Sequence, residues 1–175
     1  GSWTASGGRH PASLAGAGAK GSTGTGTFGH VRALVQRVER AAVSVGDEVV
    51  GAIATGLCVF VGVTHDDSET EADRLVDRLA GIRIMDDDEG VMNRSVKDVG
   101  GEVLVVSQFT LYGDASRGRR PTWLAAARPE QAEPLVERVV SGLRDRGIVV
   151  ATGRFRALMS VDLVNNGPAT IMLEV

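Results

Sequence analysis

The sequence predicts an α/β domain in which a mixed or mostly antiparallel, barrel-like sheet is covered by two main helices. Three observations lead there. The run "LCVFVGV" (57–63) is apolar without interruption and of strand length, the pattern of a strand buried on both faces. Two segments, 68–84 and 129–147, switch to the period of amphipathic helices. Short β-rich runs, separated by Gly, Asp and Asn turn signals, fill the rest of the domain.

Taken in order, "VRALVQRVERAAVSV" (31–45) is β-rich, with a break expected near Glu39-Arg40. "GDE" (46–48) reads as a turn and "VVGAI" as a returning strand. After "LCVFVGV", Ser68 with Glu71 three residues on forms a capping box, and Ala72, Leu75, Val76 and Leu79 share one helical face. "DDDEG" (86–90) is an acidic, solvated turn without the spacing of a calcium loop. "GEVLVVSQFTLYGD" (101–114) reads as a strand, apolar through Val106 and then abruptly polar. "SRGRRPTW" is an irregular basic loop. The second helix, "PEQAEPLVERVVSGLRDRG", places Leu135, Val136, Val139, Val140 and Leu143 on one face and stops at Gly147. "IVVATGRF", "ALMSVDLV" and "ATIMLEV" are closing strands, the last two separated by Asn165-Asn166-Gly167-Pro168.

Residues 1–30 differ in kind: Gly, Ser, Thr and Ala dominate, with no acidic residue and no apolar period. An expression leader or flexible tail is expected there, and one domain over 31–175. Without the leader's Arg9 and Lys20, 17 basic residues face 22 acidic ones, a net of −5. That balance argues against binding nucleic acid through the whole surface, though not against a local basic patch. No apolar run approaches the ~20 residues that cross a bilayer. The single cysteine, Cys58, lies inside an apolar run, so neither a disulfide framework nor a cysteine metal site is expected. A cytoplasmic setting fits.

Few residues offer conventional chemistry. His65 is the domain's only histidine; a zinc hydrolase needs several ligands, and a triad would depend on His65 alone. Ser107, Gln108 and Thr110 stand where a buried strand turns polar. They could hold a ligand, or face solvent from an alternating strand, and the pattern alone does not separate the two. Thr110 as a nucleophile needs a nearby base. Arg117, Arg119 and Arg120 make a local positive spot that suits phosphate, or a solvated loop. Pro168 cannot donate to a sheet ladder, and a trans turn is the default at Gly167-Pro168.

The segments "RALVQRV", "GLCVFVGV", "MNRSV", "GGEVLVVSQFTL", "RGRRPTW", "TGRF" and "LVNNGP", with Thr170 after them, resemble D-aminoacyl-tRNA deacylase in order and spacing. "SQFTL" and "NNGP" match that family's two signature motifs. The resemblance implies a homodimer acting on the aminoacylated 3′ end of tRNA, with active sites at the subunit interface and neither metal nor cofactor. It implies a cis Gly167-Pro168 that enters the partner's pocket and presents main-chain carbonyls to the substrate's α-amino group. An L side chain would strike that tip, whereas D-amino acids and glycine would fit, so selection works by exclusion. Arg37 and Asn165 would support the motif. Ser107, Gln108, Phe109 and Thr110 would surround the scissile ester, with main-chain N–H groups near Gln108 and Phe109 stabilising the developing charge and the terminal 2′-hydroxyl assisting attack. Ala169 stands where the family commonly has valine, which implies a slightly looser tip. Two rival functions are a non-catalytic module that binds tRNA ends or nucleotides, and a conventional esterase using Thr110 with His65.

Overall fold

The computed structural model describes residues 30–116 and 118–175; the expected leader, apart from His30, lies outside the described residues, as does Arg117. Strand β1 (Arg32–Val45) turns at Gly46, whose φ of +58° suits glycine, into β2 (Glu48–Ile53). β3 (Gly56–Gly62) continues in the direction of β2 along the same edge of β1. Helix α1 (Glu69–Gly81) leads to a small hairpin of β4 (Met85–Asp86) and β5 (Met92–Arg94). β6 (Glu102–Ser107) then runs parallel to β3. Helix α2 (Pro129–Asp145) precedes β7 (Val149–Thr152), which is parallel to β6, and β8 (Ser160–Glu174) lies antiparallel along the other edge of β1.

The mixed sheet curls until its edges meet. A Cβ added to Gly51 of β2 would lie 2.3 Å from the carbonyl oxygen of Thr152 in β7, so only glycine permits this approach. Two cores result. Val31, Ala33 and Val35 of β1, with Leu57, Val59 and Val61 of β3, face the apolar sides of α1 and α2. Val38, Ala41 and Val43, with Cys58, Leu104 and Val106, fill the barrel interior. β3 is therefore buried on both faces, as its uninterrupted apolar run requires.

β1 does not break at Glu39-Arg40, contrary to expectation; it is one strand, but its pairing is irregular there. Val38 faces the interior, and so do Ala41 and Val43, although the strict two-residue alternation would turn them outward. The exposed pair Glu39-Arg40 absorbs the odd residue, as a bulge does. α1 begins as predicted: Ser68 Oγ accepts from the N–H of Thr70, and Glu71 accepts from the N–H of Ser68 at 2.8 Å. Past α2, Gly147 takes φ +78°.

Two expected strands change. The run 101–114 ends as a strand at Ser107, and Phe109–Tyr112 is a 3-10 turn. Gly62 makes room for it: a Cβ there would stand 3.0 Å from Leu111 Cβ and 3.1 Å from the Gln108 carbonyl. The last two closing strands are one, since both halves of β8 pair with β1 and the segment between them bulges out.

Candidate active site

β3 and β6 run parallel, so their C-terminal ends open at the same place. There a cleft of about 640 Å³ is lined by Ser107, Gln108, Phe109, Trp123, Phe155 and Met159 among others. Ser107 is the last residue of β6, and the Gln108 N–H donates to the Val61 carbonyl at 2.7 Å, which fixes where the chain leaves the sheet. Phe109 then opens the 3-10 turn, where the first N–H groups have no acceptor within the turn itself. Of the two main-chain donors expected near the ester, that of Gln108 is committed to β3; that of Phe109 is not needed by the turn. Phe109 is 56% exposed and meets Trp123 edge to face, centroids 5.9 Å apart. The Gln108 side-chain amide donates to Thr110 Oγ1.

Asn166-Gly167-Pro168-Ala169 form the second feature. In the β1–β8 register Gln36 faces Thr170 and Val38 faces Asn165, so these four residues stand opposite Arg37 alone. A four-against-one mismatch expels the segment as a tip. Its Gly167-Pro168 peptide bond is cis, not the trans form that the dipeptide takes by default. Arg37, 5% exposed, uses all five of its N–H groups, three of them on the base of the tip. Nε donates to the Asn166 carbonyl, Nη2 to Asn166 Oδ1 and the Gly167 carbonyl, and Nη1 to the Ile84 carbonyl and Asp86 Oδ1. The ion pair with Asp86, at 2.7 Å, anchors the guanidinium to β4. The acidic turn is thus more than solvated: Asp86 braces Arg37, and the Asp87 carboxylate accepts from the N–H groups of Glu89 and Val91. Asn165 Nδ2 closes the base, donating to the carbonyls of Arg37 and Ala169. Ala169 is buried in the helix-side core.

A Cβ on Gly167 would meet nothing nearer than Asn165 Oδ1 at 3.8 Å, and its φ is not in the positive range. No described residue of this chain demands glycine there. Neither Gly167 nor Pro168 lines the cleft of its own chain; Arg37 and Asn166 line a separate recess with Thr55, Val99 and Glu102.

The other candidates fall elsewhere. His65 Nε2 lies 2.7 Å from the Leu124 carbonyl and Thr110 Oγ1 accepts from the Gln108 amide; no hydrogen bond joins the two among the described residues. The buried Cys58 thiol is pushed up to about 12 by desolvation and is no nucleophile. Arg119 and Arg120 are exposed in the loop between Asp114 and Thr122, and neither is among the residues that line the cleft. The arginines that do line the cleft, Arg128 and Arg156, went unnoticed in the sequence. Arg128 precedes the predicted helix start at Pro129, a positional hint; Arg156 carries no such signal. Phe155 and Met159 line it too, from a segment whose "TGRF" was matched without a role.

Comparison with known proteins points to one family. Residues 34–174 match the family model described as D-Tyr-tRNA(Tyr) deacylase. A D-aminoacyl-tRNA deacylase of Symbiobacterium thermophilum is 57% identical over 144 residues, covering 82% of this chain and 95% of the relative. One from Thermotoga petrophila is 56% identical, covering 82% and 97%. Among solved structures, one described as "c-Myc DNA Unwinding Element Binding Protein" superposes with a TM-score of 0.77 at 38% identity, over 82% of this chain and 98% of that one. A probable eukaryotic D-amino acid tRNA deacylase, 18% identical, shares the fold with a TM-score of 0.73 over 83% of this chain and all of its own.

Proposed function

Since the chain belongs to the D-Tyr-tRNA(Tyr) deacylase family, we propose that it hydrolyses the ester joining a D-amino acid to the 3′ end of tRNA, releasing the free amino acid and the tRNA. Glycine mischarged on tRNA is a substrate by the same logic, and L-aminoacyl esters are rejected. The terminal nucleoside and its ester occupy the cleft at the end of β6. Water attacks the carbonyl carbon with help from the 2′-hydroxyl of the terminal adenosine, the bond from acyl carbon to ribose oxygen breaks, and the oxyanion is met by the Phe109 N–H. An aminoacyl ester is already activated, so the site needs positioning more than a strong base. Gln108 and Ser107 contribute polar contacts rather than a nucleophile.

The observation that carries this reading is the separation of tip and cleft within one chain. A braced tip with glycine at its turn, absent from its own cleft, is suited to act on another molecule. In a homodimer it enters the partner's cleft, where the Gly167 and Pro168 carbonyls face the substrate's α-amino group. The Gly167 carbonyl keeps one lone pair for this after accepting from Arg37. Any L side chain would run into backbone, which has no rotamer to move out of the way. The deciding experiment charges tRNA with D-tyrosine and with L-tyrosine and follows release of each. Release of D-tyrosine alone is expected; release of neither ester removes the enzyme reading in favour of a non-catalytic binding module.

A further inference from the structure

The cleft at the end of β6 has an uneven charge. Its described lining includes Arg128 and Arg156 and no Asp or Glu, in a domain whose net charge is −5. The neighbouring recess on the other side of Ser107 is different, with Glu133 and Glu137 beside Arg144 and Arg154. The arginines there are tied down: Arg144 donates to the Val150 carbonyl at 2.9 Å and Arg154 to Glu48 at 3.1 Å. Arg128 and Arg156 are exposed and make no side-chain hydrogen bond or ion pair among the described residues. They come from separate segments, Arg128 just before α2 and Arg156 between β7 and β8, so only the fold brings them to one cleft.

Arg156 has a second distinction. Its φ is +62°, and it is the one non-glycine with positive φ among the described residues. The turn holding it is closed by the Ala157 N–H donating to the Arg154 carbonyl at 3.2 Å. Glycine would adopt this conformation without cost, whereas an arginine is strained by its Cβ. Strain of this kind gathers at ligand sites, where the side chain repays it.

We propose that Arg128 and Arg156 form a phosphate subsite of the cleft, holding the phosphodiester that joins the substrate's terminal nucleotide to the one before it. Two guanidinium groups match phosphate oxygens by paired N–H donation. The aromatic rings of Phe109, Trp123 and Phe155 supply the apolar surface a nucleoside needs beside such an anchor. The basic loop at Arg119 and Arg120 is then not the source of this contact. The placement of the phosphate rests on the deacylase reading above; the preference of the cleft for a phosphate does not.

The test compares adenosine with adenosine 5′-monophosphate by calorimetry, on the wild-type protein and on R128A/R156G. The variant should fold, because glycine relieves the strain at position 156 and the Arg128 side chain makes no cap hydrogen bond. The wild type is expected to bind the monophosphate about tenfold more tightly, and the variant to lose that preference. With D-tyrosyl-tRNA and the phosphate-free ester D-tyrosyl-adenosine, the ratio of their kcat/KM values should fall about tenfold in the variant. The slope of log affinity for tRNA against log salt should drop by about 0.7. Equal affinity of the wild type for the two nucleosides, or a preference that survives the substitutions, overturns the subsite. If the wild type prefers the monophosphate yet hydrolyses neither ester, the subsite stands and the deacylase reading fails.

Discussion

A glycine usually explains itself by a positive φ or by a neighbour that a Cβ would strike, as Gly46 and Gly62 do here. Gly167 does neither, and that lets a role in folding be tested apart from the role in recognition proposed for it. Gly167→Ala is expected to leave the melting temperature within about 2 °C of wild type, because the added methyl makes only an ordinary contact with Asn165 Oδ1 at 3.8 Å. Deacylation of D-tyrosyl-tRNA should fall at least about tenfold, since the methyl projects where the substrate belongs. Thermal melts and single-turnover deacylation read the two effects apart; a destabilised protein with intact turnover would contradict the assignment. Residue by residue, the sequence was legible where chemistry is local. The Ser68 capping box and the Gly147 stop could be read from a few neighbours. The buried guanidinium of Arg37 could not, because its five acceptors lie on Ile84, Asp86, Asn166 and Gly167, all far along the chain. Only the family resemblance pointed to it.

Apolar period located most strands and both helices, since periodicity reports which face is buried. It failed where pairing is decided by a distant partner. "NNGP" between two apolar runs has the composition of a turn, yet the runs are one strand because β1 supplies a continuous edge to both. "SQFTL" extends an apolar run, yet the sheet ends at Ser107 because Gly62 leaves space for a tight turn. The active site proposed above is built from these two exceptions, so the segments that local pattern misreads are the ones to which function is assigned. Barrel closure is a third non-local event, and Gly51 exposes it to test. A side chain there would have to displace the backbone of Thr152, not a movable rotamer. Gly51→Val is expected to cost about 3 kcal/mol in chemical denaturation, within the range for overpacking. Unchanged stability would mean that β2 and β7 separate freely and that the barrel is open.

Across the whole molecule, charge and burial set opposite pH trends. Asp73, Asp87, Asp98 and Asp114 accept hydrogen bonds that hold their carboxyls below the usual range, so their support is present at neutral pH and is lost on acidification. Asp67 runs the other way. It is 5% exposed between β3 and α1; Oδ2 accepts from the Thr64 N–H at 2.7 Å, while buried Oδ1 has no partner among the described residues. Desolvation pushes its carboxyl up from 3.8 to about 6, against the Thr64 hydrogen bond, with Glu71 and Asp66 adding to the rise and His30 opposing it. A folded pKa above the unfolded one means that the fold binds the proton more tightly. Its contribution is therefore full below about pH 4 and is lost as pH rises through about 6, a change on the order of 2 to 3 kcal/mol. Asp67→Asn abolishes this titration while keeping an oxygen for the Thr64 N–H. The variant should gain stability relative to wild type as pH rises from 4 to 7, whatever the absolute offset between them. Denaturation midpoints across that range give the answer, and a difference that stays constant with pH would show that Asp67 does not titrate between the two states.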